Sequence, residues 1–181
     1  MIKGGLTMII RTATLEDAAN IAKVHVDSWR TTYKGIIPQS FLDKLSYEKR
    51  TTLWENNLTN PARNVYVAQT GDNEIIGFVV GEKRDTNTEQ GATDLSAIYL
   101  FEEWQGKGVG KLLLKQVMQS FKEQGYHKVY VDVLADNKSR EFYKYYGAQY
   151  VETITIAFDG VPIDEEVYVW NNIDAVLEKL N

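Results

Sequence analysis

Three consecutive strand-like segments constrain the fold of this chain more than any other feature of its sequence. Residues 65–68, 75–82 and 95–101 are rich in apolar residues, and Gly71-Asp72-Asn73 is a hairpin turn signal between the first two. The first strong amphipathic helix, 108–124, begins only after the third segment. Successive parallel strands need a long crossover between them, so a pure doubly wound sheet is excluded. The order predicts an α/β (α+β) fold with a mixed, mostly antiparallel sheet and helices on both faces.

The rest of the chain supplies further helices and strands around this central part. A strand is expected at 8–12, followed by a helix that Thr14 caps, and a second helical stretch carries Leu53 and Trp54 on its inner side. No linker or repeat divides the sequence, so we expect a single domain over 1–181, with 1–7 as a candidate disordered extension. The remaining expected elements are helices at 39–58, 136–146 and 172–180 and strands at 129–133, 149–158 and 165–170.

The composition excludes several classes of function. The 181 residues include no Cys, so thiol nucleophiles and thiolate metal sites are impossible, and His25 and His127 are too few for a His-rich metal site. A net charge of −5 disfavours nucleic-acid binding and mildly favours a cationic small molecule. No segment approaches the ~20 apolar residues of a membrane span, and the N-terminus lacks the apolar stretch of a signal peptide. We therefore expect a cytoplasmic protein without metal, membrane or nucleic-acid partners.

A glycine-rich loop before the long helix is the candidate ligand site. In Gly106-Lys107-Gly108-Val109-Gly110 three glycines alternate with other residues and lead directly into the helix. Glycine lets the backbone approach a ligand, and the free N–H groups and dipole of the helix suit a pyrophosphate. A tight strand-to-helix turn without a ligand has the same pattern. A Walker A loop is excluded because Gln105 occupies its first glycine position, and the dinucleotide pattern lacks its third glycine.

The segment Gln105-Gly106-Lys107-Gly108-Val109-Gly110 resembles the Q/R-x-x-G-x-G/A signature of the GCN5-related N-acetyltransferase (GNAT) family. The resemblance covers nearly the whole chain. Ile10-Arg11-Thr12-Ala13 with Asp17 is similar to the first strand and helix of the family, and 137–147 is similar to its second cofactor motif. Residues 28–38 resemble one sub-branch of largely uncharacterised bacterial members. The resemblance implies a GNAT-like fold with a splay between strands 4 and 5, and acetyl-CoA as co-substrate.

The resemblance also implies which residues hold acetyl-CoA. Backbone N–H groups of the loop would bind the pyrophosphate, and Gln105 would shape the loop. These N–H groups belong to Gly106, Lys107, Gly108, Val109, Gly110 and Lys111. Ile98 and Leu100 would offer main-chain bonds to the pantetheine arm, as if it were an added strand. Asn137 is a further candidate contact, although the family register places its asparagine on Asp136, and either residue equally suits a helix N-cap.

Two catalytic roles follow from the resemblance and from the chemistry of amine acetylation. Tyr143 matches the family tyrosine near the sulfur, where a phenol of pKa ~10 stays protonated and can supply a proton to the departing thiolate. The alternative for Tyr143 is packing alone. The amine must lose a proton before it attacks, and Asp94, 11 residues before Gln105, is the first candidate base. Glu82 is its rival, a water relay through either is open, and a solvent-facing carboxylate is the plain alternative for Asp94.

The acceptor is expected between the first two helices and the late strand pair, as in the family. Trp29, Tyr33, Trp54 and Trp170 are candidate aromatic walls for a cationic amine, and each also suits a core position. The function implied is acetyl transfer from acetyl-CoA to a primary amine, of a small molecule or a protein, by direct attack in a ternary complex. A non-catalytic acyl-CoA-binding or regulatory domain and a transferase for another acyl-CoA are the alternatives. Late strands often pair across subunits in the family, so a homodimer is a further option.

Overall fold

The structure is a computed structural model that describes residues 7–181 and contains one seven-stranded sheet. Its strands are β1 Met8–Thr12, β2 Asn64–Thr70, β3 Ile75–Gly81, β4 Ala92–Leu100, β5 Lys128–Leu134, β6 Gln149–Phe158 and β7 Val161–Trp170. The spatial order is β1-β2-β3-β4-β5-β7-β6, and only β4 and β5 pair in parallel. The predicted mixed, mostly antiparallel sheet is confirmed. The expected extension over 1–7 lies, apart from Thr7, outside the described residues.

Six helices accompany the sheet within the described residues, and local signals set their starts. They are α1 Ala18–Thr32, α2 Gln39–Asp43, α3 Tyr47–Leu58, α4 Val109–Glu123, α5 Ser139–Tyr145 and α6 Ile173–Leu180. A 3₁₀ turn, Leu15–Asp17, precedes α1, and the Thr14 N–H donates to Asp17 Oδ2 at 2.7 Å in a capping box. Asn172 Oδ1 accepts the N–H groups of Asp174 and Ala175 and so caps α6.

The helical stretch expected over 39–58 is two helices instead of one. Residues 44–46 separate α2 from α3, and Ser46 Oγ accepts the Lys49 N–H at 3.3 Å. A serine in this position caps the start of a helix, and α3 therefore begins at Tyr47. The new start turns Leu53 outward, where it is 38% exposed, while Trp54 is buried as expected.

Helices cover both faces of the sheet, as predicted. All seven residues of β3 are buried, and successive strand residues point to opposite faces, so both faces need cover. α1 packs against β3 and β4, and α4 packs across β1 to β4. Within 7–181 no helix combines the length and the apolar character needed to cross a membrane.

β4 and β5 separate along half of their length. Their parallel register runs only from Ala92↔Lys128 to Leu95↔Val131. Beyond this point β4 continues to Leu100 beside β3 alone, and β5 continues to Leu134 beside β7. One edge of β4 over residues 96–100 therefore faces an opening in place of a strand, and its main-chain groups there are available to a ligand. This is the splay expected between strands 4 and 5.

Candidate active site

A cavity of about 690 Å³ lies in the splay between β4 and β5. Its wall comes from α1, β4, the glycine loop, β5, α5 and the β6–β7 hairpin. A space of this size accommodates a ligand larger than a single metabolite ring system. The residues that line it differ in charge from one end to the other, so we describe the two ends in turn.

The glycine loop forms the end suited to an anion. Gly106 and Gly108 have φ values of +69° and +85°, a left-handed conformation that strains any residue with a Cβ. A Cβ built on either glycine would meet no atom within 4 Å, so the approach to their backbone is open. Gly108 immediately precedes α4, and no described side chain caps this helix. The N–H groups of the first helical turn and the wall residue Lys111 therefore offer positive charge to a ligand.

Tyr143 and Asn137 form the wall next to the loop. Burial raises the pKa of the Tyr143 phenol well above its usual range, so the hydroxyl stays protonated near neutral pH. The Tyr143 ring packs edge-on against Trp170 at 5.6 Å between centres. Asn137 Oδ1 accepts the Ser139 N–H at 2.9 Å, and its Nδ2 donates to Tyr33 Oη at 3.4 Å. Asn137 thus shapes the turn before α5 and also lines the cavity.

An aromatic cluster from α1 and β4 forms a third side of the cavity. The hydroxyl oxygens of Tyr33 and Tyr99 are 3.0 Å apart, and the Trp29 ring meets the Tyr33 ring edge-on at 4.8 Å between centres. Behind this wall His25 stacks on Tyr99 and accepts the Trp54 indole N–H at Nδ1. Burial lowers the pKa of His25 to about 4, so its imidazole is neutral at physiological pH. The cluster is largely apolar, with the Tyr33 and Tyr99 hydroxyl groups at the cavity.

Carboxylates and one arginine form the end opposite the glycine loop. Arg84, in the segment after β3, donates from Nη1 to Asp132 Oδ2 at 2.6 Å and from Nη2 to Asp94 Oδ1 at 2.9 Å. Asp94 also accepts the Arg84 N–H and the Asn87 Nδ2, each at 3.0 Å. Arg84, Asp132 and Glu165 line the cavity, whereas Asp94 lies behind Arg84 and outside its wall.

The structure brings most of the predicted site residues to this one cavity. Those in its wall are Trp29, Tyr33, Ile98, Leu100, Gln105, Gly106, Gly108, Gly110, Lys111, Asn137 and Tyr143. Lys107 and Val109 belong to the loop but not to the wall. Lys107 Nζ lies 5.1 Å from the centre of the Trp104 ring, and the Val109 side chain is buried. The role expected of both residues is that of their main-chain N–H groups.

Four predicted residues lie away from the wall. The indole N–H of Trp54 donates to His25 and that of Trp170 donates to the Tyr146 carbonyl, and both side chains are buried in the core. Both therefore occupy core positions, which was the alternative for each of them, and neither forms a wall of the cavity. Glu82 accepts from Arg63 Nε at 2.9 Å and does not line the cavity. The base role of Asp94 stays a prediction, and its contacts favour a structural ion pair.

The wall residues that sequence reasoning missed include Arg84, Tyr99, Asp132, Phe158 and Glu165. Two of them carried a usable signal. Asp132 interrupts the apolar strand Val129-Tyr130-Val131-Asp132-Val133, and Glu165 precedes the apolar end of β7. An acidic residue within an apolar strand needs a partner or a function, because its burial is costly. Arg84 gave no such signal, since it lies in an irregular segment whose path the sequence does not predict.

These features define a class of protein with a split sheet and a single cavity in the split, one end of which suits an anion while the other is acidic. The sequence profile of the Acetyltransferase (GNAT) family matches residues 25–148. The chain therefore belongs to the GNAT family of acetyltransferases, as the resemblance of the glycine loop indicated.

Two relatives are similar to this protein over about two thirds of its sequence or more. The protein is 35% identical over 172 residues to the uncharacterized N-acetyltransferase YuaI of Bacillus subtilis, a match spanning 95% of this chain and 98% of that protein. It is 25% identical over 126 residues to a spermidine N(1)-acetyltransferase of Thermoplasma acidophilum, which covers 66% of this chain and 74% of that protein.

Solved structures show the same fold. The PaiA N-acetyltransferase of Thermoplasma acidophilum in complex with coenzyme A superimposes with a TM-score of 0.67 at 24% identity, covering 88% of this chain and 98% of that one. An N-acetyltransferase of Staphylococcus aureus Mu50 gives a TM-score of 0.73 at 20% identity, covering 91% and 98%. The seven-stranded splayed sheet is thus a GNAT fold.

Proposed function

We propose that this protein, as a single domain over 1–181, transfers the acetyl group of acetyl-CoA to a primary amine by direct attack in a ternary complex. One observation carries the proposal: a single cavity connects the N-terminus of α4 with the carboxylates Asp132 and Glu165 and passes Tyr143 on the way. An anionic co-substrate and a cationic acceptor can therefore occupy the same cavity. Holding the two together supplies much of the rate in such a reaction.

The residues present fit acetyl-CoA, which supplies the activated acetyl group when bound. The open loop at Gly106 and Gly108 leaves space for phosphate oxygens beside the first N–H groups of α4. The unpaired edge of β4, which includes Ile98 and Leu100, offers main-chain groups to an extended pantetheine arm. These are the residues that the resemblance to the family implied for acetyl-CoA.

Tyr143 serves the leaving group in this proposal. A buried phenol with a raised pKa is a weak acid, so complete proton transfer to a thiolate of pKa ~8.5 is unfavourable. The protonated hydroxyl instead donates a hydrogen bond to the sulfur as charge develops there. Such a bond lowers the barrier because it strengthens in the transition state.

The test of co-substrate binding is calorimetric titration of acetyl-CoA into the protein and two glycine variants. Gly108→Glu places a carboxylate at the N-terminus of α4, and we expect affinity to fall at least about tenfold. Gly160→Glu is the matched control, because Gly160 has a φ of +77°, equal open space and a position in the β6–β7 turn away from the cavity wall. Equal binding by all three proteins, or no binding by any, would contradict the proposal.

Catalysis is tested by release of free thiol from acetyl-CoA in the presence of a panel of amines. Spermidine belongs in the panel because one relative is a spermidine N(1)-acetyltransferase. Amino acids, amino sugars and a lysine-containing peptide represent the other acceptors. Thiol release that needs both acetyl-CoA and an amine supports a transferase, and saturable acetyl-CoA binding without turnover would instead support a non-catalytic acyl-CoA-binding domain.

A further inference from the structure

Glu165 is a cavity carboxylate whose charge nothing nearby compensates directly. It lies on β7 and is half-buried. No described side chain donates a hydrogen bond to it, and only longer-range charges act on it. A half-buried carboxylate without a partner is unfavourable in the ligand-free protein. It becomes favourable when a cation binds beside it.

The surrounding charges leave this end of the cavity negative. Arg84 forms ion pairs with both Asp94 and Asp132, so one positive charge balances two carboxylates. Glu165 adds a third carboxylate to this end of the cavity. Burial raises the pKa of Glu165 most, the Asp132 carboxylate raises it further, and the Arg84 guanidinium lowers it. The excess of carboxylates attracts a cationic ligand and repels an anionic one.

The sheet register places these groups on one face. In the β5–β7 pair, Leu134 lies opposite Glu165 and Asp132 lies opposite Val167. Directly opposed residues of antiparallel strands share a face, so Asp132 and Glu165 lie on the same side of the sheet. Glu152 of β6 pairs with Val167 and shares that face farther along β7. Tyr33 follows directly after α1, and the Glu165 charge contributes, after burial, to the raised pKa of its hydroxyl. The groups that face Glu165 are thus one cation, further carboxylates and a tyrosine.

Aromatic rings line the cavity into which Glu165 projects. Trp29, Tyr33 and Phe158 line the same cavity, and the Trp29 and Phe158 rings meet edge-on at 6.4 Å between centres. Ring faces and a carboxylate together suit an ammonium group with a short apolar chain. An anionic or neutral acceptor would leave Glu165 without a partner.

We propose that Glu165 holds the ammonium group of the acceptor and takes up its proton, so that the acceptor is a cationic primary amine. This assignment rests on the proposed function. In the step, the N–H proton moves to the Glu165 carboxylate, and the nitrogen lone pair forms the bond to the acetyl carbonyl carbon. The carbon–sulfur bond then breaks with its electron pair on sulfur, the nitrogen loses its second proton to the departing thiolate, and Glu165 returns the first proton to solvent.

Burial, and next the Asp132 carboxylate, raise the pKa of Glu165 from its ordinary range. A carboxylate with a raised pKa is a stronger base. The difference between its pKa and the higher pKa of the ammonium group that it must deprotonate is therefore smaller. The same shift makes the carboxylate form sensitive to mild acid. We therefore expect the transfer rate to fall as Glu165 becomes protonated on the acid side.

The experiment compares the wild type with Glu165→Gln, Glu165→Asp and the control Glu178→Gln, which removes an exposed carboxylate on α6. The probe is 1,4-diaminobutane, titrated calorimetrically into protein saturated with coenzyme A. Its acetylation is then followed by thiol release between about pH 6.5 and pH 9.5, where a free amine of pKa ~10.4 becomes steadily more abundant. Acetyl-CoA affinity is measured for each variant.

We expect Glu165→Gln to bind the diamine at least about tenfold more weakly and to lose about 100-fold in kcat/KM near neutral pH. The loss of kcat/KM should become smaller as the pH rises. At high pH the diamine is already deprotonated in solution and no longer needs Glu165 to remove its proton. Glu165→Asp should regain part of the activity, and acetyl-CoA affinity should not change in any variant.

Two results would overturn the assignment: equal diamine affinity and equal pH profiles in Glu165→Gln and Glu178→Gln, or no diamine binding to any of the proteins. A structural role of Glu165 would lower activity equally at every pH and would also overturn it. Failure of the proposed function looks different, because diamine binding would still depend on Glu165 while acetyl-CoA would not bind or would not react.

Discussion

Replacing His25 should change how the stability of the fold depends on pH. The imidazole lies behind the aromatic wall, where burial lowers its pKa to about 4 from an ordinary value of 6.5, with a smaller contribution from Arg50. Between these two pKa values the unfolded chain binds a proton at His25 and the folded chain does not. The free energy of unfolding therefore falls as the pH falls through this window, and the full contribution is present above the ordinary pKa.

The size of the effect follows from the same two values. Between about pH 7.5 and about pH 5 the unfolded state gains most of a proton at this position, which corresponds to a loss of about 2 kcal/mol of stability. Carboxylates with lowered pKa values, such as Asp17 and Asp27, stay ionised in both states above about pH 5 and add little.

The assay is urea denaturation at both pH values, followed by far-ultraviolet circular dichroism. His25→Gln retains an oxygen that can accept the Trp54 N–H and removes the titration, so we expect its stability to change about 2 kcal/mol less than that of the wild type between the two pH values. His127→Gln, at an exposed position, is the control and should keep the wild-type pH dependence. Equal pH dependence in His25→Gln and the wild type would refute the reasoning.

Three further predictions concern catalysis, the ion pair and assembly. Tyr143→Phe should lower kcat about 100-fold and leave acetyl-CoA affinity unchanged, and a wild-type kcat would remove its role at the sulfur. Asp94→Asn should cost about 1–3 kcal/mol in urea denaturation because Asp94 is buried and accepts from Arg84 and Asn87; a kcat loss at unchanged stability would restore it as the base. β6 is a ten-residue edge strand, and its Val151 is 45% exposed. If it pairs with a second copy, sedimentation should show a dimer that Val151→Lys converts to a monomer, and a wild-type monomer would contradict pairing.

The fold followed from the sequence wherever hydrophobic period and turn chemistry agreed. β1 and β6 match their expected bounds, and the glycine loop and α4 lie where the pattern placed them. The division of 39–58 was missed because the sequence pattern was read as one helical stretch, whereas the Ser46 side chain bonds to the backbone and starts a second helix.

The site was predictable where main-chain geometry carries it and unpredictable where side chains from distant elements meet. The loop at Gly108 follows from local sequence, and the role of the edge at Ile98 was implied by the family resemblance. The meeting of Arg84, Asp132 and Glu165 depends on the path of an irregular segment and on the insertion of β7 between β5 and β6. Strand order of that kind is a tertiary property, and no single window of sequence contains it.

The splay has a consequence for the cohesion of the protein. Four residue pairs join β4 to β5, and they hold the sheet half formed by β1 to β4 against the half formed by β5 to β7. A ligand lying in the gap contacts both halves, and its binding free energy then opposes their separation as well as global unfolding. Each tenfold increase of ligand above its Kd would add about 1.4 kcal/mol to that resistance. Amide hydrogens on both sides of the gap should then exchange more slowly together, as if the substrate were an eighth strand.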